Sequence, residues 1–565
     1  MCGIAGIIGR HPENKYVLAK MLDRQKHRGP DSQGVWSGEG ASLGHNRLSI
    51  LDLTEAANQP MISNCGRYII VFNGEIYNYL ELKRSLDYSF RTKSDTEVLL
   101  AMYIKHKEAM LHYLNGMFAF AIWDDQEKTF FAARDRFGVK PFYFSIVEEQ
   151  FLFGSEIKTL FAGGVNNTPN EVVWADYFVH GSYGFPDETF FKHVNQLPGG
   201  HSISFSHGDL RPKIVKYYDF EAKVKNQTIY KNEQTLQDEY LNVLLDAIKI
   251  RFRSDVPVGF NVSGGLDSSV LLAMISKIKN GHTGNVEAFT FYTGDERYDE
   301  LPWVKNLIAK TNSPLNSVLL SFQEVPDLIG DIADFQDEPY GGFPTLAYSK
   351  IFKEARQKGV LVLLDGQGMD EAWAGYDYYR TDSQLFVQGT NNSSTRSHVL
   401  APEMAALARK MDYPEPFDNK LQNKQFRDLF YTKIPRALRF NDRISMMHSV
   451  ELREPFLDYR LVEMGFAQDA DMKIKQDQGK WLPRQLVKHT LGDIALAPKR
   501  PLQTPQREWI GGPLSDFVGD RITKLRSSPW FEKAALDQEW RDYRNGKKDN
   551  SFFVWQWVNT SFIHV

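Results

Sequence analysis

Two stretches of the chain hold residue types that do chemistry at spacings that let them act together. The first is the N-terminus, Met1-Cys2-Gly3-Ile4-Ala5-Gly6. A small second residue permits removal of the initiator methionine, which leaves a thiol and a free α-amine on one residue. The amine titrates at about 8 and the thiol at about 8.5, so the amine can take the thiol proton at neutral pH. That is a one-residue nucleophile and base; the plain alternative is a small buried hydrophobe. The second stretch is Val256-Pro-Val-Gly-Phe-Asn-Val-Ser-Gly-Gly-Leu-Asp-Ser-Ser-Val-Leu-Leu272, an apolar run that breaks at Ser263-Gly264-Gly265 and resumes at helical spacing. Two adjacent glycines let backbone N–H groups converge, and the helix that follows adds its positive end, so the turn suits phosphate. Ser263, Ser268 and Ser269 can add hydroxyl donors. Asp267 repels phosphate unless a cation lies between them, which points to Mg2+. An ordinary strand-to-helix turn is the alternative here.

Around the N-terminal residue, the elements that must position a substrate are legible. Tyr68-Ile-Ile-Val-Phe72 reads as a strand running into Asn73-Gly74-Glu75, where an amide and a backbone N–H can form an oxyanion hole. Glu75 and Asp95, the latter in Ser94-Asp-Thr-Glu97, can hold an ammonium group. Arg47 starts Arg47-Leu-Ser-Ile-Leu-Asp52 and can pair bidentately with a carboxylate, and Arg28-Gly-Pro-Asp31 is a turn with a cation. Ala119-Phe-Ala-Ile-Trp123, Asp124-Asp125 and Thr129-Phe-Phe-Ala-Ala133 read as a hairpin, with further strands at 141–144 and 151–153. Arg134-Asp-Arg-Phe-Gly138 reads as a structural turn.

In the second half, a helical run over 235–252 leads into the glycine turn. Two more apolar runs follow: Val286 to Tyr292 before Thr293-Gly294, and Val360 to Leu364 before Asp365-Gly366-Gln367-Gly368. Such runs, with helices between them, read as strands of a parallel sheet covered on both faces. Ligands of open α/β sheets sit outside the carboxyl ends of the strands, so the three runs should meet at one site. Three acidic residues within Asp365-Gly-Gln-Gly-Met-Asp-Glu371 suggest a cation there.

At 565 residues the chain exceeds one hydrophobic core, so two domains are expected, with a polar linker near 206–235. A net charge of -4 gives no case for nucleic acid. Two cysteines, Cys2 and Cys65, and the lack of a run of about 18 apolar residues argue for a reduced, cytoplasmic chain with no membrane span.

The Met-Cys-Gly-Ile start, Arg-Gly-Pro-Asp, Arg-Leu-Ser-Ile, Phe-Asn-Gly-Glu-Ile-Tyr-Asn and Ser-Asp-Thr-Glu resemble the glutaminase domain of class II glutamine amidotransferases. Ser-Gly-Gly-Leu-Asp-Ser-Ser is similar to the ATP-pyrophosphatase loop of asparagine synthetases. The resemblance implies an α/β chain: an αββα sandwich of N-terminal-nucleophile hydrolase type over 1–205, a linker over 206–235, and an adenylating domain with a parallel sheet over 236–565. It implies that Cys2 attacks the glutamine amide, with Asn73 and Gly74 stabilising the oxyanion. Arg47, Leu48, Ser49, Ile50, Glu75 and Asp95 join them in holding glutamine. ATP falls to Asn261, Ser263, Gly264, Gly265, Asp267, Ser268, Phe291, Asp365 and Gly366, Mg2+ to Asp267 and Asp370, and the leaving pyrophosphate to Lys499. The stretch from Arg439 to Asp458 matches the family's helical segment, where Arg443, Glu451 and Arg453 either line the acceptor cleft or pair internally.

The expected reaction is amidation of a carboxylate with nitrogen from glutamine and energy from ATP, by default L-aspartate to L-asparagine. A homodimer fits. One departure matters: the family usually reads Ser-Gly-Glu-Gly-Ser-Asp-Glu where this chain has Gln367, and a neutral amide cannot act as a base. The acceptor is then either aspartate or another carboxylate, such as a uronic acid of a surface polysaccharide. A scaffold that binds glutamine without catalysis is the reading from another class.

Overall fold

In this computed structural model, which describes residues 1–380, 394–491, 503–546 and 550–563, every strand pairing of the N-terminal part is antiparallel. One six-stranded sheet has the order β10-β8-β9-β1-β3-β2, from β1 (Gly3–Ile8), β2 (Ser32–Gly38), β3 (Ala41–Arg47), β8 (Tyr143–Val147), β9 (Gln150–Gly154) and β10 (Asn195–Gln196). The other has the order β12-β11-β7-β6-β5-β4, from β4 (Met61–Ile62), β5 (Tyr68–Ile76), β6 (Gly116–Asp124), β7 (Thr129–Arg134), β11 (His201–Ser206) and β12 (Asp209–Lys216). Alternation decides how they stack. Ile4, Leu43 and Phe153 of the first sheet face Val71, Ala121 and Phe130 of the second. The opposite faces are also apolar, because the helix Asn14–Arg24 covers Ala5 and Ile7, and the helix Asp95–His106 covers Ile70 and Phe72. The result is the expected αββα sandwich. The hairpin is where the alternation places it, with Asp124 opposite Thr129.

Two segments acquire roles that composition did not suggest. Residues 209–216, within the polar stretch set aside as a linker, form the edge strand β12. Most of its side chains face solvent, so polar residues cost it nothing. The helix Phe220–Lys225 then buries Phe220 among Phe426, Phe430 and Phe466. The Arg134 to Gly138 turn is structural as read: the Asp135 carboxylate accepts from the backbone N–H groups of Phe118, Phe137, Val139 and Lys140.

The second half builds a five-stranded sheet, all parallel, in the order β15-β14-β13-β16-β17. Its strands are β13 (Val258–Asn261), β14 (Ala288–Tyr292), β15 (Leu315–Leu319), β16 (Val362–Leu364) and β17 (Glu451–Arg453). Adjacent residues go to opposite cores. Ala288 and Leu364 pack with the helices Glu233–Arg251 and Leu266–Ile278, whereas Phe289 and Leu363 pack with the helix Phe343–Gln357. The three apolar runs are neighbours in the sheet, as their sequence implied.

The segment from Arg439 to Asp458 is not helical throughout. The helix Lys433–Met447 gives way to β17, a buried strand with two charges in three residues. It tolerates them because both are paired: Arg453 Nε donates to Glu451 at 2.6 Å and its guanidinium lies 3.4 Å from Glu75. The two halves meet through such pairs. Arg28, fully buried, donates to Asp442 at 2.9 and 3.2 Å and to Glu156 at 2.9 Å. Buried pairs of this kind add little net stability because desolvation offsets their attraction, yet losing one partner costs about 3–5 kcal/mol. Among the described residues no helix is long and apolar enough to cross a membrane, and both cysteines are free.

Candidate functional site

Strands β1 and β5 bring Cys2 and Asn73 together. The Cys2 backbone N–H donates to Asn73 Oδ1 at 3.0 Å, and its carbonyl accepts from Arg28 Nε at 3.1 Å. Asn73 is fully buried, and with its oxygen engaged its Nδ2 is left without a partner among the described residues. A buried amide donor is costly unless something occupies the space it faces, so Nδ2 is available to an oxyanion. Gly74 has φ +152°, and a Cβ there would run into the Met117 carbonyl, so this position demands glycine. Cys2 Sγ lies 3.8 Å from the Leu48 carbonyl, and burial pushes the thiol up.

The acidic pair is buried next to a third carboxylate. Asp95 opens its helix behind the cap Ser94 and accepts from the Ile76 N–H at 2.8 Å. Burial raises its carboxyl to about 6. Glu75 is held well above the usual range by burial, then by the charges of Asp95 and Glu451, against the pull of Arg453. The Met1 ammonium sits in this cluster, 2.8 Å from Glu451. Arg47 turns its guanidinium to the Thr54 carbonyl and Asn58 Oδ1, both at 2.8 Å, and to the carbonyls of Leu51 and Asp52. Leu48 and Ile50 pack against Met1, Tyr77 and Met117, and Ser49 N–H is held at 2.7 Å by Asp31 of the Arg-Gly-Pro-Asp turn. If Asp95 holds the α-ammonium of glutamine, as the resemblance implies, a carboxyl at about 6 carries a prediction: only its ionised form pairs, so kcat/KM for glutamine should fall about tenfold per pH unit below pH 6. Initial rates of glutamate release across pH 4.5 to 8 check this; a flat profile through pH 6 would assign the ammonium to another group.

At the other site, β13, β14 and β16 end on a cavity of about 190 Å³. Asn261, Ser263, Asp267, Ser268 and Phe291 line it, with Asp365 and Gly366 from the loop after β16 and Asp370 beyond them. The turn is tied internally. Ser268 Oγ donates to the Ser263 carbonyl at 2.8 Å and Ser269 Oγ to the Gly265 carbonyl at 2.8 Å. Ser268 and Ser269 therefore both spend their hydroxyl protons on closing the turn, and neither offers a donor to phosphate. The Gly264 N–H donates to the Glu300 carboxylate at 3.2 Å, an anionic oxygen on the kind of donor a phosphate would use. Gly265 N–H faces Ser263 Oγ at 3.2 Å. Asp365 is raised to about 6 by burial, and the Gln367 side-chain amide lies against it.

Lys480 is the residue that sequence reading missed. Its Nζ lies 2.6 and 2.7 Å from the two Asp267 oxygens and 2.8 Å from Asp370. A signal existed: Gly479-Lys480 immediately precedes the amphipathic helix Trp481–Leu491, and Gly479 packs too closely on Ala374 to carry a side chain. Asp267 and Asp370 thus converge on one cation. No group of three or more His, Cys, Asp or Glu among the described residues could hold a metal alone. A pair of carboxylates is nevertheless what Mg2+ uses when phosphates complete its shell, so the residues fit that ion. Arg443, Glu451 and Arg453 line none of the described cavities: Arg443 donates to the Ser155 carbonyl at 2.8 Å, and all three are buried in ion pairs. Lys499 lies outside the described residues.

Residues 1–218 match the glutamine amidotransferase domain family, and residues 239–564 match the asparagine synthase family. The chain is 28% identical to glutamine-hydrolyzing asparagine synthetase 1 of Bacillus subtilis (strain 168), over 98% of this chain and 95% of that one. It is 30% identical to asparagine synthetase 3 of the same organism, over 88% and 86%. A third relative, amidase chry2 of Gibberella zeae, is 26% identical over 93% and 92%.

Proposed function

The chain belongs to the family of glutamine-hydrolysing asparagine synthetases, and from that premise we propose that it amidates L-aspartate with nitrogen from glutamine and energy from ATP. A carboxylate is a poor electrophile for ammonia, whereas its mixed anhydride with AMP has a good leaving group. The acceptor carboxylate attacks the α-phosphorus of ATP, pyrophosphate leaves, and ammonia then displaces AMP. Cys2, freed of Met1, attacks the glutamine amide while Asn73 Nδ2 and Gly74 N–H take the oxyanion, and Asp95 and Glu75 hold the α-ammonium. The glutaminase part extends through β12 to about residue 218 and the adenylating part starts near 239. Asp267 and Asp370 would hold Mg2+, whose charge neutralises the triphosphate.

One observation carries the coupled reading. The strand β17 reaches both sites: the Arg453 guanidinium lies 3.4 Å from Glu75, and the Arg453 carbonyl accepts from Asp365 N–H at 2.9 Å. Beside it, Leu48 and Met117 pack with Ile250, Val362 and Met446 in one apolar cluster, a medium that passes neutral ammonia and excludes ammonium. A second reading has its own support. A cleft of about 500 Å³, with Gly341, Arg436 and Phe440 in its wall, shares Tyr298 and Gln503 with the nucleotide cavity, which is generous for aspartate and suits a larger carboxylate such as a uronic acid. Pyrophosphate release measured with L-aspartate and with nucleotide-linked uronic acids separates them. Aspartate-dependent release is the expected result; release with uronic acids alone would move the acceptor to the second class.

A further inference from the structure

Glu454, the residue after β17, is a buried carboxylate that nothing above employs. It is 3% exposed, and its Oε2 has no partner among the described residues. The Gln367 backbone N–H faces its carboxylate, and the charged groups around it are Asp365, Lys140 and Arg251. It also borders a second space. A cavity of about 20 Å³ lies between the two halves, lined by Tyr77, Gly116 and Met117 from the first and by Arg251, Glu454 and Leu457 from the second. A void of that size holds a single small polar molecule, and Tyr77 and Met117 belong to the same apolar cluster as Met1. Glu454 therefore stands between the direction from which nitrogen arrives and the loop that closes the nucleotide cavity.

The chemistry of the last step asks for such a group. Ammonia adding to the acyl carbon becomes a cationic nitrogen, which is expelled again unless it loses a proton before AMP leaves. The amide of Gln367 cannot take that proton. Asp365 also leaves one oxygen unpartnered, but among the described cavities it lines the nucleotide pocket alone, and its carboxylate is in contact with the Gln367 amide.

We propose that Glu454 is the proton acceptor for the incoming nitrogen. The C–N bond forms, one N–H proton passes to the Glu454 carboxylate, the C–O bond to AMP breaks, and AMP departs with the electron pair. Burial and the charge of Asp365 hold the Glu454 carboxyl well above the ordinary range, so its ionised form is a stronger base than an exposed carboxylate.

This assignment rests on the amidotransferase reading, and the full chain tests both. Wild type and Glu454→Gln are assayed with ammonium chloride, ATP and L-aspartate, or, if aspartate releases no pyrophosphate, the uronic acid that does. The expected result for Glu454→Gln is unchanged glutamine hydrolysis and an unchanged first-turnover burst of pyrophosphate, a rate of amide formation lower by about 10²-fold, and loss of the acid limb in the pH profile of amide formation. Adding Gln367→Glu should return at least about a tenth of the wild-type rate, a rescue that a structural role for Glu454 would not give. The assignment is overturned if Glu454→Gln forms amide within about threefold of wild type, if the first-turnover burst of pyrophosphate is lost along with amide, or if the double variant adenylates but stays silent. If the wild-type chain makes amide from no carboxylate, the amidotransferase reading itself fails, and the role of Glu454 with it.

Discussion

Replacing Cys2 by alanine is expected to lower glutamine-dependent amide formation by a factor on the order of 10³ or more, while ammonium chloride still supports the reaction within about twofold. The size of the effect follows from how little else the site offers. Cys2 Sγ faces the Leu48 carbonyl, an acceptor, and burial pushes the thiol up, so a retained Met1 leaves it protonated. His45 is fully buried, its pKa pushed down to about 3 by burial, and it faces the Phe72 carbonyl. The base must then be the residue's own α-amine. In the presence of Met1 that nitrogen is a peptide N–H donating to Asn73, unable to accept a proton. A chain with an uncleaved N-terminal extension should accordingly behave like the alanine variant. Glutamate release, with the mass of the N-terminal peptide measured on the same sample, decides it. Equal loss of ammonia-dependent activity would mean the two sites are not separable and would sink the two-pocket mechanism.

The second large effect is expected at the other pocket. Asp267→Asn should reduce acceptor-dependent pyrophosphate release by about 10²- to 10⁴-fold, the equivalent of several kcal/mol of charge stabilisation lost at the triphosphate. Glutamine hydrolysis should be retained. The fold should survive because Lys480 keeps Asp370 as a partner at 2.8 Å and asparagine is isosteric with aspartate. Lys480 holds together the two carboxylates that a divalent cation would share, and its charge offsets their mutual repulsion. Titrating Mg2+ against release at fixed ATP tests the assignment: the variant should need more metal, and an unchanged metal dependence would remove Asp267 from the ion.

Much of the architecture was legible because it follows from local rules. Short apolar runs bounded by turn residues marked β5, β6 and β7, and unbroken apolar runs ending in glycine turns marked β13, β14 and β16. Their meeting at one cavity follows from the rule for open parallel sheets. Where the reading failed, the missing information was the partner. β12 is polar because it is an edge, and β17 carries two charges because the N-terminus, Glu75 and Glu451 stand ready to pair them. Ser269 looks like a phosphate donor until the turn spends its hydroxyl on the Gly265 carbonyl. Lys480 sits 213 residues from Asp267, and nothing in the short segment around it reveals that distance closing to 2.6 Å.

The sequence by itself determined the chemistry on offer: a nucleophile at position 2, an amide and a glycine after a strand, and a glycine turn with an aspartate beside it, each legible because it depends on neighbours in the chain. Tertiary structure alone decided which charges are spent on holding the halves together and which are left to act. Arg443, Glu451 and Arg453 went to the first use, while Asn73 Nδ2 and Glu454 Oε2 have no partner among the described residues. The reason is that a buried polar group takes its role from whatever faces it, and what faces these residues comes from hundreds of positions away.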